Sequence, residues 1–213
     1  ARRPPRPPSI MVREGYIFAA VPLVPAALAL AFGWYVLGGI LLFLAVFVLY
    51  FFRDPERQVP ADPAAVVSPA DGRIMEIVEE PLGARPRRRI SILLAVWDVH
   101  VNRAPCAGCI RKVEHRPGRF FAAMRSRASA ENEQNVFHLE TDRGEIIFKQ
   151  IAGWIARRVL SWKSAGDRVA LGERVGMIRF GSRMDVWLPL DAEILVRPGQ
   201  HVAGGSSLLA RWK

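Results

Sequence analysis

Cysteine and histidine are scarce in this chain of 213 residues, which contains two cysteines and four histidines. The cysteines, Cys106 and Cys109, form one C-x-x-C pair, and no second pair of ligands at suitable spacing accompanies it. A structural zinc site needs four ligands, so we predict no metal site. A redox dithiol is an alternative, but two small residues near a turn in a reducing compartment are the favoured interpretation.

Signals for a serine hydrolase and for helices are also few. The G-x-S-x-G motif is absent and no Ser-His-Asp set is apparent, which counts against a serine hydrolase. Beyond residue 52, helical patterns are limited to 123–129 and 155–159. This part of the chain is therefore predicted to be mainly β, because β-branched or alternating residues predict strands at 66–67, 73–78, 89–96, 110–113, 136–140 and 145–151.

Charged side chains are missing from Tyr16 to Phe52. This apolar run is nearly twice the roughly 20 residues that one helical membrane span requires, and Gly33 lies near its middle. Two interpretations fit: a hairpin of two short helices that turns near Gly33, or a re-entrant pair that lies in one leaflet. We therefore predict a membrane anchor at 16–52, preceded by a basic, proline-rich segment at 1–15.

Positive charge dominates the rest of the chain, which gives a formal net charge of +10. Such a balance suggests an anionic partner, either nucleic acid or an anionic lipid surface. The apolar run favours the membrane, so no nucleic-acid partner is predicted. Because both flanks of the anchor are basic, we expect both ends on the cytoplasmic side of the cell (inner) membrane.

Two segments of the mainly β part repeat the pattern G-x-x-V-x-x-G, one within 165–173 and one within 198–206. The pattern resembles the hairpins of biotinyl- and lipoyl-type barrel-sandwich domains, in which each glycine allows a tight turn. A carrier domain would present an exposed lysine, but the corresponding stretch here, 180–184, contains Ser182. We predict a barrel-sandwich-hybrid-like domain without a carrier function.

Six motifs occur in a fixed order along the chain. They are F-F-R-D-P-E-R at 51–57, S-P-A-D-G at 68–72, D-V-H-V-N-R-A-P-C-A-G at 98–108, P-G-R-F at 117–120, E-N-E-Q-N at 131–135 and F-G-S at 180–182. Each motif alone is weak, but six in order beside a membrane anchor are specific. Together they resemble the short bacterial and archaeal form of phosphatidylserine decarboxylase, over nearly the whole chain.

The resemblance implies self-cleavage between Gly181 and Ser182. A serine Oγ can attack the carbonyl before it when the turn is strained and a base takes the proton, and glycine tolerates such strain. In the family the new chain end becomes a pyruvoyl group, so a covalent pyruvoyl cofactor made from Ser182 is expected. Cleavage then gives a large chain, 1–181, and a small chain, 182–213, and the decarboxylase domain, 53–213, contains parts of both. The two chains are expected to form a heterodimer, and a higher oligomer is left open.

A second Gly-Ser pair lies in the segment Gly204–Ser207 and also resembles cleavage motifs of some decarboxylases. Cutting there would leave only eight residues, too few to present a cofactor on a stable strand. The segment also lies in the second G-x-x-V-x-x-G turn, where small residues have a structural role. Ser182 is therefore the predicted cofactor precursor.

The resemblance also assigns Asp71, in S-P-A-D-G, to the support of self-cleavage, and His100 to the histidine motif of the family. Longer members carry a second histidine three positions later, which is usually assigned as the base, and this chain has Arg103 there. Either His100 or His115 is therefore the predicted base, because the pKa of histidine lies near neutral pH.

Other polar residues receive weaker assignments. His138 and His201 are interpreted as structural. Arg103 or Arg183 is a candidate for holding the substrate phosphate. The polar segment 131–135 lies near the active site by resemblance and is assigned no catalytic role.

The implied reaction is the decarboxylation of phosphatidylserine to phosphatidylethanolamine, through a Schiff base between the substrate amine and the pyruvoyl ketone. The expected partners are phosphatidylserine and an anionic membrane surface. Archaetidylserine is an alternative substrate. A non-catalytic, membrane-tethered barrel-sandwich adaptor is an alternative function, and it predicts one intact chain.

Overall fold

The computed structural model describes residues 10–83, 85–154, 158–179 and 181–213. The chain divides into two compact units, one up to Glu56 and one from Arg57 onward. The first unit is a pair of apolar helices, α1 (Arg13–Ala31) and α2 (Tyr35–Phe51). They are joined by a turn in which Gly33 has a φ of 78°, a left-handed angle that favours glycine.

Backbone hydrogen bonds join the segment before α1 to the segment after α2. Val12 donates to the carbonyl of Phe52 at 3.0 Å, and Asp54 donates to that of Ile10 at 2.8 Å. Among the described residues, α1 alone is long and apolar enough to cross a membrane, and α2 is shorter at 17 residues. The sequence thus correctly predicts two short helices with a turn at Gly33, while their insertion in a membrane stays a prediction.

The second unit is mainly β, as predicted. Its single short helix among the described residues is α3 (Ala128–Glu131). The described strands are β1 (Ala65–Val67), β2 (Gly72–Leu82), β3 (Arg85–Leu94), β4 (Val101–Arg103), β5 (Gly108–Arg116), β6 (Gln134–Thr141), β7 (Gly144–Ile151), β8 (Val159–Ser161), β9 (Arg168–Val169), β10 (Arg174–Ile178), β11 (Ser182–Leu188), β12 (Glu193–Ile194), β13 (His201–Val202) and β14 (Leu208–Arg211).

These strands form a curled, half-barrel sheet of eight strands in the order β13-β2-β3-β11-β7-β6-β5-β9. Two three-stranded sheets accompany it, β1-β14-β12 and β4-β10-β8. Side chains alternate between the faces of a strand. In β11, Met184, Val186 and Leu188 therefore join the apolar core, whereas Arg183 and Asp185 are buried on the opposite face.

The strand order reads as two matching halves. β13-β2-β3-β11 corresponds to β9-β5-β6-β7, and β1-β14-β12 corresponds to β4-β10-β8. The hydrogen bonds repeat as well. Arg103 donates its backbone N–H to Pro69 at 2.8 Å and Val67 donates to Pro105 at 2.9 Å. The repeated G-x-x-V-x-x-G pattern is therefore the part that the sequence reveals of a structural repeat, which covers the described strands of the second unit.

One half of the repeat is inserted into the other. The strands β4 to β10 follow one another along the chain and interrupt the first half between β3 and β11. The chain consequently crosses between the halves twice, first through residues 95–100 and then between the end of β10 at Ile178 and the start of β11 at Ser182. Both crossovers carry predicted site residues.

The helix predictions for the second unit are mostly wrong. Residues 123–129 contain isolated turns, such as the bond from Arg125 N–H to Ala122 at 2.9 Å, before α3 begins at Ala128. Tertiary bonds that hold Phe121 nearby override the local helix preference. Of the second predicted helix, 155–159, residues 155–157 lie outside the described residues and Val159 starts β8. The six predicted strands each coincide with an observed strand, and most observed strands are longer.

Candidate active site

Ser182 lies at the start of β11, where the second crossover ends. It is opposite Leu94, the last residue of β3, and it is fully buried. Its Oγ has no hydrogen-bond partner among the described residues. Leaving a buried hydroxyl unpaired costs about 1–3 kcal/mol, so such a group marks a strained or reactive position. Gly181 precedes it with a φ of 32°, in the range that favours glycine.

His100 lies at the end of the first crossover and is fully buried. Its carbonyl accepts a bond from the N–H of Ile178 at 3.2 Å, just before the second crossover starts. The ring Nδ1 lies 2.9 Å from the carbonyl oxygen of Asp98. A carbonyl only accepts, so Nδ1 carries the proton and the neutral ring has its basic lone pair on Nε2. Ser182 thus lies beside the strand at which the first crossover begins, and His100 lies beside the strand at which the second begins.

Asp71 is held by partners from two other motifs. Arg57 donates from Nη2 to both carboxylate oxygens, at 2.9 and 2.7 Å, and Gly204 donates its N–H to Oδ1 at 2.7 Å. The next residue, Gly72, packs so closely on β3 that a Cβ there would lie 2.3 Å from the carbonyl oxygen of Leu93. Asp71 therefore lies at the same end of β3 as Ser182, on the other side of that strand.

The segment Gly204–Ser207 forms a tight structural turn. Gly205 has a φ of 78° and donates its N–H to Ser68 at 2.7 Å, and the Ser207 Oγ accepts the N–H of Ala203 at 2.9 Å. These bonds, together with the bond to Asp71, give the small residues of this turn a structural role. They support the choice of Ser182 over this segment.

Asp98 is a site residue that the sequence reasoning missed. Its Oδ2 accepts the N–H of Ala95 at 2.8 Å, which closes the first crossover into a turn, and its Oδ1 lies 3.1 Å from Nε2 of His201. Its carbonyl also orients His100. The signal in the sequence was its position two residues before His100 in the same motif. His201, interpreted as structural, is thereby placed beside the crossover.

His115 lies apart from this cluster. It is exposed on β5, three strands from β11 in the sheet order, and its Nδ1 lies 2.9 Å from Oδ1 of Asn135. Asn135 donates to Gln150 at 2.9 Å, and Gln150 donates to Asn102 at 2.8 Å. His115 is therefore at the far end of a chain of buried amides. Of the two base candidates, His100 is the buried one, and the choice between them stays a prediction.

The two arginines considered for substrate phosphate are both buried. Arg183 is fully buried on the face of β11 opposite Ser182, where it donates to Asp185 at 2.6 Å and to Glu76 at 3.0 Å. Arg103 is 4% exposed and donates to the carbonyl of Gly172 at 3.1 Å. Both guanidinium groups are buried and bonded within the fold, which disfavours either arginine as the phosphate ligand.

Asn132 gives the polar segment 131–135 a role that the sequence did not reveal. Its side chain bonds both backbone groups of Phe121, at 2.9 and 2.8 Å, and donates to the carbonyl of Ala152 at 2.7 Å. Ala152 follows β7 and lies opposite Ser182 when the β7–β11 register is extended. Asn132 therefore fixes the backbone that flanks the predicted cleavage site.

The chain is similar to known proteins of one family. A sequence model of the phosphatidylserine decarboxylase family matches residues 44–210. A phosphatidylserine decarboxylase proenzyme of Solibacter usitatus is 54% identical over 171 residues, which cover 80% of this chain and 81% of the relative. Another, of Symbiobacterium thermophilum, is 46% identical over 207 residues, which cover 95% of each chain. This chain therefore belongs to the phosphatidylserine decarboxylase family.

Proposed function

We propose that this chain decarboxylates phosphatidylserine to phosphatidylethanolamine with a pyruvoyl group that it makes from its own Ser182. The two relatives named above are proenzymes of that activity, which supports processing of this chain as well. The observation that carries the site assignment is the buried, unpaired hydroxyl of Ser182 directly after a glycine in the left-handed region.

Self-cleavage needs only groups of this chain and one water molecule. Ser182 Oγ attacks the carbonyl carbon of Gly181 and gives up its proton, the peptide C–N bond breaks, and an ester joins the two residues. Loss of the Ser182 Cα proton then breaks the Cβ–O bond, which releases Gly181 as a carboxylate and leaves dehydroalanine. Water replaces the nitrogen, which departs as ammonia, and a pyruvoyl group remains at position 182.

His100 is the proposed base for these cleavage steps. Its Nε2 carries the lone pair because Nδ1 is committed to the carbonyl of Asp98. Asp71 is the group that the family resemblance assigns to the support of cleavage, and Arg57 and Gly204 hold its carboxylate on the other side of β3 from Ser182. Once formed, the pyruvoyl group supplies a ketone that takes the substrate amine and accepts electrons as the carboxylate departs.

The surroundings of Ser182 suit a substrate that stays in a bilayer. Trp97 lies in the first crossover and is 64% exposed, and Trp154 follows the β7 extension and is 74% exposed. Tryptophan is enriched at membrane–water interfaces, where its ring sits at the headgroup level. We propose that these side chains meet the lipid surface while the apolar helices anchor the chain, with the second unit on the cytoplasmic side of the inner membrane.

The decisive experiment combines electrophoresis with intact mass measurement of the purified full chain. The wild type should yield a large chain that ends at Gly181 and an N-terminally blocked small chain, and it should convert phosphatidylserine in detergent micelles. Ser182→Ala should remain whole and inactive, whereas Ser206→Ala in the competing turn should be processed. An intact, inactive wild type would favour the adaptor alternative, and cleavage of Ser182→Ala would refute the assigned site.

A further inference from the structure

Gly153 lies against the peptide bond that is proposed to break. It follows Ala152 and faces Gly181 when the β7–β11 register is extended by two residues. A Cβ at position 153 would lie 1.9 Å from the carbonyl oxygen of Gly181 and 2.9 Å from its carbonyl carbon. Real Cβ atoms do not approach backbone atoms this closely. Any side chain at 153 would therefore displace the carbonyl that Ser182 is proposed to attack.

The need for glycine at 153 is steric rather than conformational. Gly153 is not among the glycines with a positive φ, so an L-residue could adopt its backbone angles. The neighbouring Cβ of Ala123 would be 3.4 Å away, which is an ordinary contact. The carbonyl of Gly181 is thus the obstacle that a larger residue would meet.

The backbone at 153 is also held in place. Asn132 is 1% exposed and donates to the carbonyl of Ala152 at 2.7 Å, and the Ala152 N–H donates to Glu133 at 2.9 Å. These bonds hold both backbone groups of Ala152, the residue that precedes Gly153. The surface that supports the Gly181 carbonyl is therefore rigid, as a group that orients a reacting carbonyl must be.

We propose that Gly153 is a positioning residue for self-cleavage, which sets the direction of the Gly181 carbonyl so that Ser182 Oγ can reach its carbon. The proposal rests on the cleavage site given under Proposed function. It concerns the first step, in which the Ser182 O–C bond forms as the Gly181–Ser182 C–N bond breaks. An error of about 1 Å in such an alignment can slow a reaction about a hundredfold.

The test is the rate of chain cleavage in full-length Gly153→Ala, measured by electrophoresis of freshly purified protein. We expect cleavage to be at least about a hundredfold slower than in the wild type. Gly108→Ala is the matched control, because its Cβ would lie 2.3 Å from the carbonyl oxygen of Glu140, which is also a steric conflict with a backbone oxygen but lies on β5. Gly108→Ala should lose thermal stability and still be cleaved.

A hydroxylamine experiment identifies the step. Hydroxylamine cuts an ester, so in maturing wild type it should release a small chain that begins with unmodified Ser182. In Gly153→Ala it should release at least about a hundredfold less over the same time, because the ester forms more slowly. Release of this fragment from Gly153→Ala in the wild-type amount would place the defect after the attack and overturn the proposal, as would normal cleavage of this variant.

A second variant decides the matter if Gly153→Ala does not fold. Asn132→Ala removes the bond to Ala152 and should slow cleavage about tenfold or more. Its circular dichroism spectrum should stay that of the wild type. Cleavage of folded Asn132→Ala at the wild-type rate would then reject the proposal. Ser182→Ala separates this inference from the cleavage site itself. Cleaved Ser182→Ala refutes the site, whereas uncleaved Ser182→Ala with normally cleaved Gly153→Ala refutes only the role of Gly153.

Discussion

At the scale of single residues, Asp71 shows how distant motifs meet at one carboxylate. Arg57 and Gly204 both donate to it, and the side chains of Asp71 and Arg57 are 11% and 16% exposed. A charged pair that is this shielded from water is worth more than a surface ion pair, because solvent screens it less.

We predict that the effects of Asp71→Asn and Arg57→Leu on the free energy of unfolding are not additive. Each variant should lower the free energy of unfolding in urea, and the double variant should lose less than the sum of the two, by about 1–3 kcal/mol. Asp71→Asn should also slow self-cleavage, which electrophoresis would detect. Strictly additive losses in the urea experiment would mean that the pair contributes nothing to stability.

The two cysteines differ in environment although they are three residues apart. Cys106 is buried with its Sγ 3.5 Å from the carbonyl of Ala65, and burial raises the pKa of its thiol to about 11. Cys109 is partly exposed, and both are free thiols. Because the thiolate is the reactive form, a redox role for the pair is disfavoured.

We expect one cysteine to react when the folded protein is alkylated. At pH 8, iodoacetamide should modify Cys109 and leave Cys106 unmodified, since the Cys106 thiol stays protonated and shielded. Peptide mass mapping would identify the modified position, and urea-unfolded protein provides the control in which both react. Equal labelling of the two thiols in folded protein would contradict this assignment of environments.

At the scale of elements, strands β2, β3 and β11 share a layer of charged side chains on the face opposite Ser182. Arg89 donates to Glu76 at 2.7 Å and to Glu80 at 2.9 Å, and Arg183 also donates to Glu76. Burial works to raise the pKa of Glu76, but the hydrogen bond and charge of Arg89 and the charge of Arg183 outweigh it, so the pKa is lowered.

The lowered pKa of Glu76 predicts a loss of stability in acid. The stability that ionised Glu76 contributes is present above its ordinary pKa of about 4.5, and it is lost as pH falls through the lower pKa of the folded state. Glu76→Gln should therefore flatten the fall in unfolding free energy below pH 5, and cost up to about 1 kcal/mol at pH 7 because Glu76 is partly exposed. Urea unfolding at several pH values measures both effects.

The control for this experiment is Glu79→Gln. Glu79 is the neighbouring-strand partner of Arg88 and its side chain is 56% exposed, so its pair should contribute little. A Glu76→Gln curve that overlays the wild-type curve down to pH 3 would contradict the proposed role of the layer.

The charged layer also explains why β2 and β3 exceed their predicted lengths. Period-two patterns predict strands at 73–78 and 89–96, yet the hairpin continues to Leu82 and starts again at Arg85. The added residues are mostly glutamate and arginine, which have modest β preference alone. Cross-strand ion pairs such as Arg88 with Glu79 compensate for this preference only once the strands are paired.

At the scale of the whole molecule, the inserted repeat determines what cleavage can separate. The predicted small chain supplies β11 to β14. Of these, β11 pairs with β3 and β7, β13 with β2, and β14 with β1, all of which belong to the large chain. Cutting at Gly181 therefore leaves the sheets continuous.

We predict that the two chains stay together after cleavage. They should coelute in size-exclusion chromatography in mild detergent and separate only when urea unfolds the protein, because β11 is buried between two strands along its length. Gel electrophoresis of the eluted peak would show both chains. Loss of the small chain from the native peak would mean that these strand pairings do not hold the cleaved form.

The apolar helices lead to a prediction about membrane attachment. Leu, Val and Phe side chains on both helices are exposed, so we expect the chain to remain in the membrane fraction after washing with 1 M salt. At that salt concentration electrostatic attraction reaches only about 3 Å. Phe43→Asp with Val46→Asp should weaken retention, since each charge within an apolar helix opposes insertion by about 2.5–3.5 kcal/mol. Full release of the wild type by salt would show that charge alone holds it.

The amino-acid sequence by itself determined the apolar helical pair, the mainly β second unit, the repeated G-x-x-V-x-x-G pattern and the family, because these depend on composition, local period and short motifs. Only the tertiary structure showed that His100 is buried and His115 exposed, that Arg183 lies on the face opposite Ser182 and that Gly153 lies against Gly181. Those outcomes depend on strand register and on the insertion of one half-repeat into the other, which bring together residues that are distant along the chain.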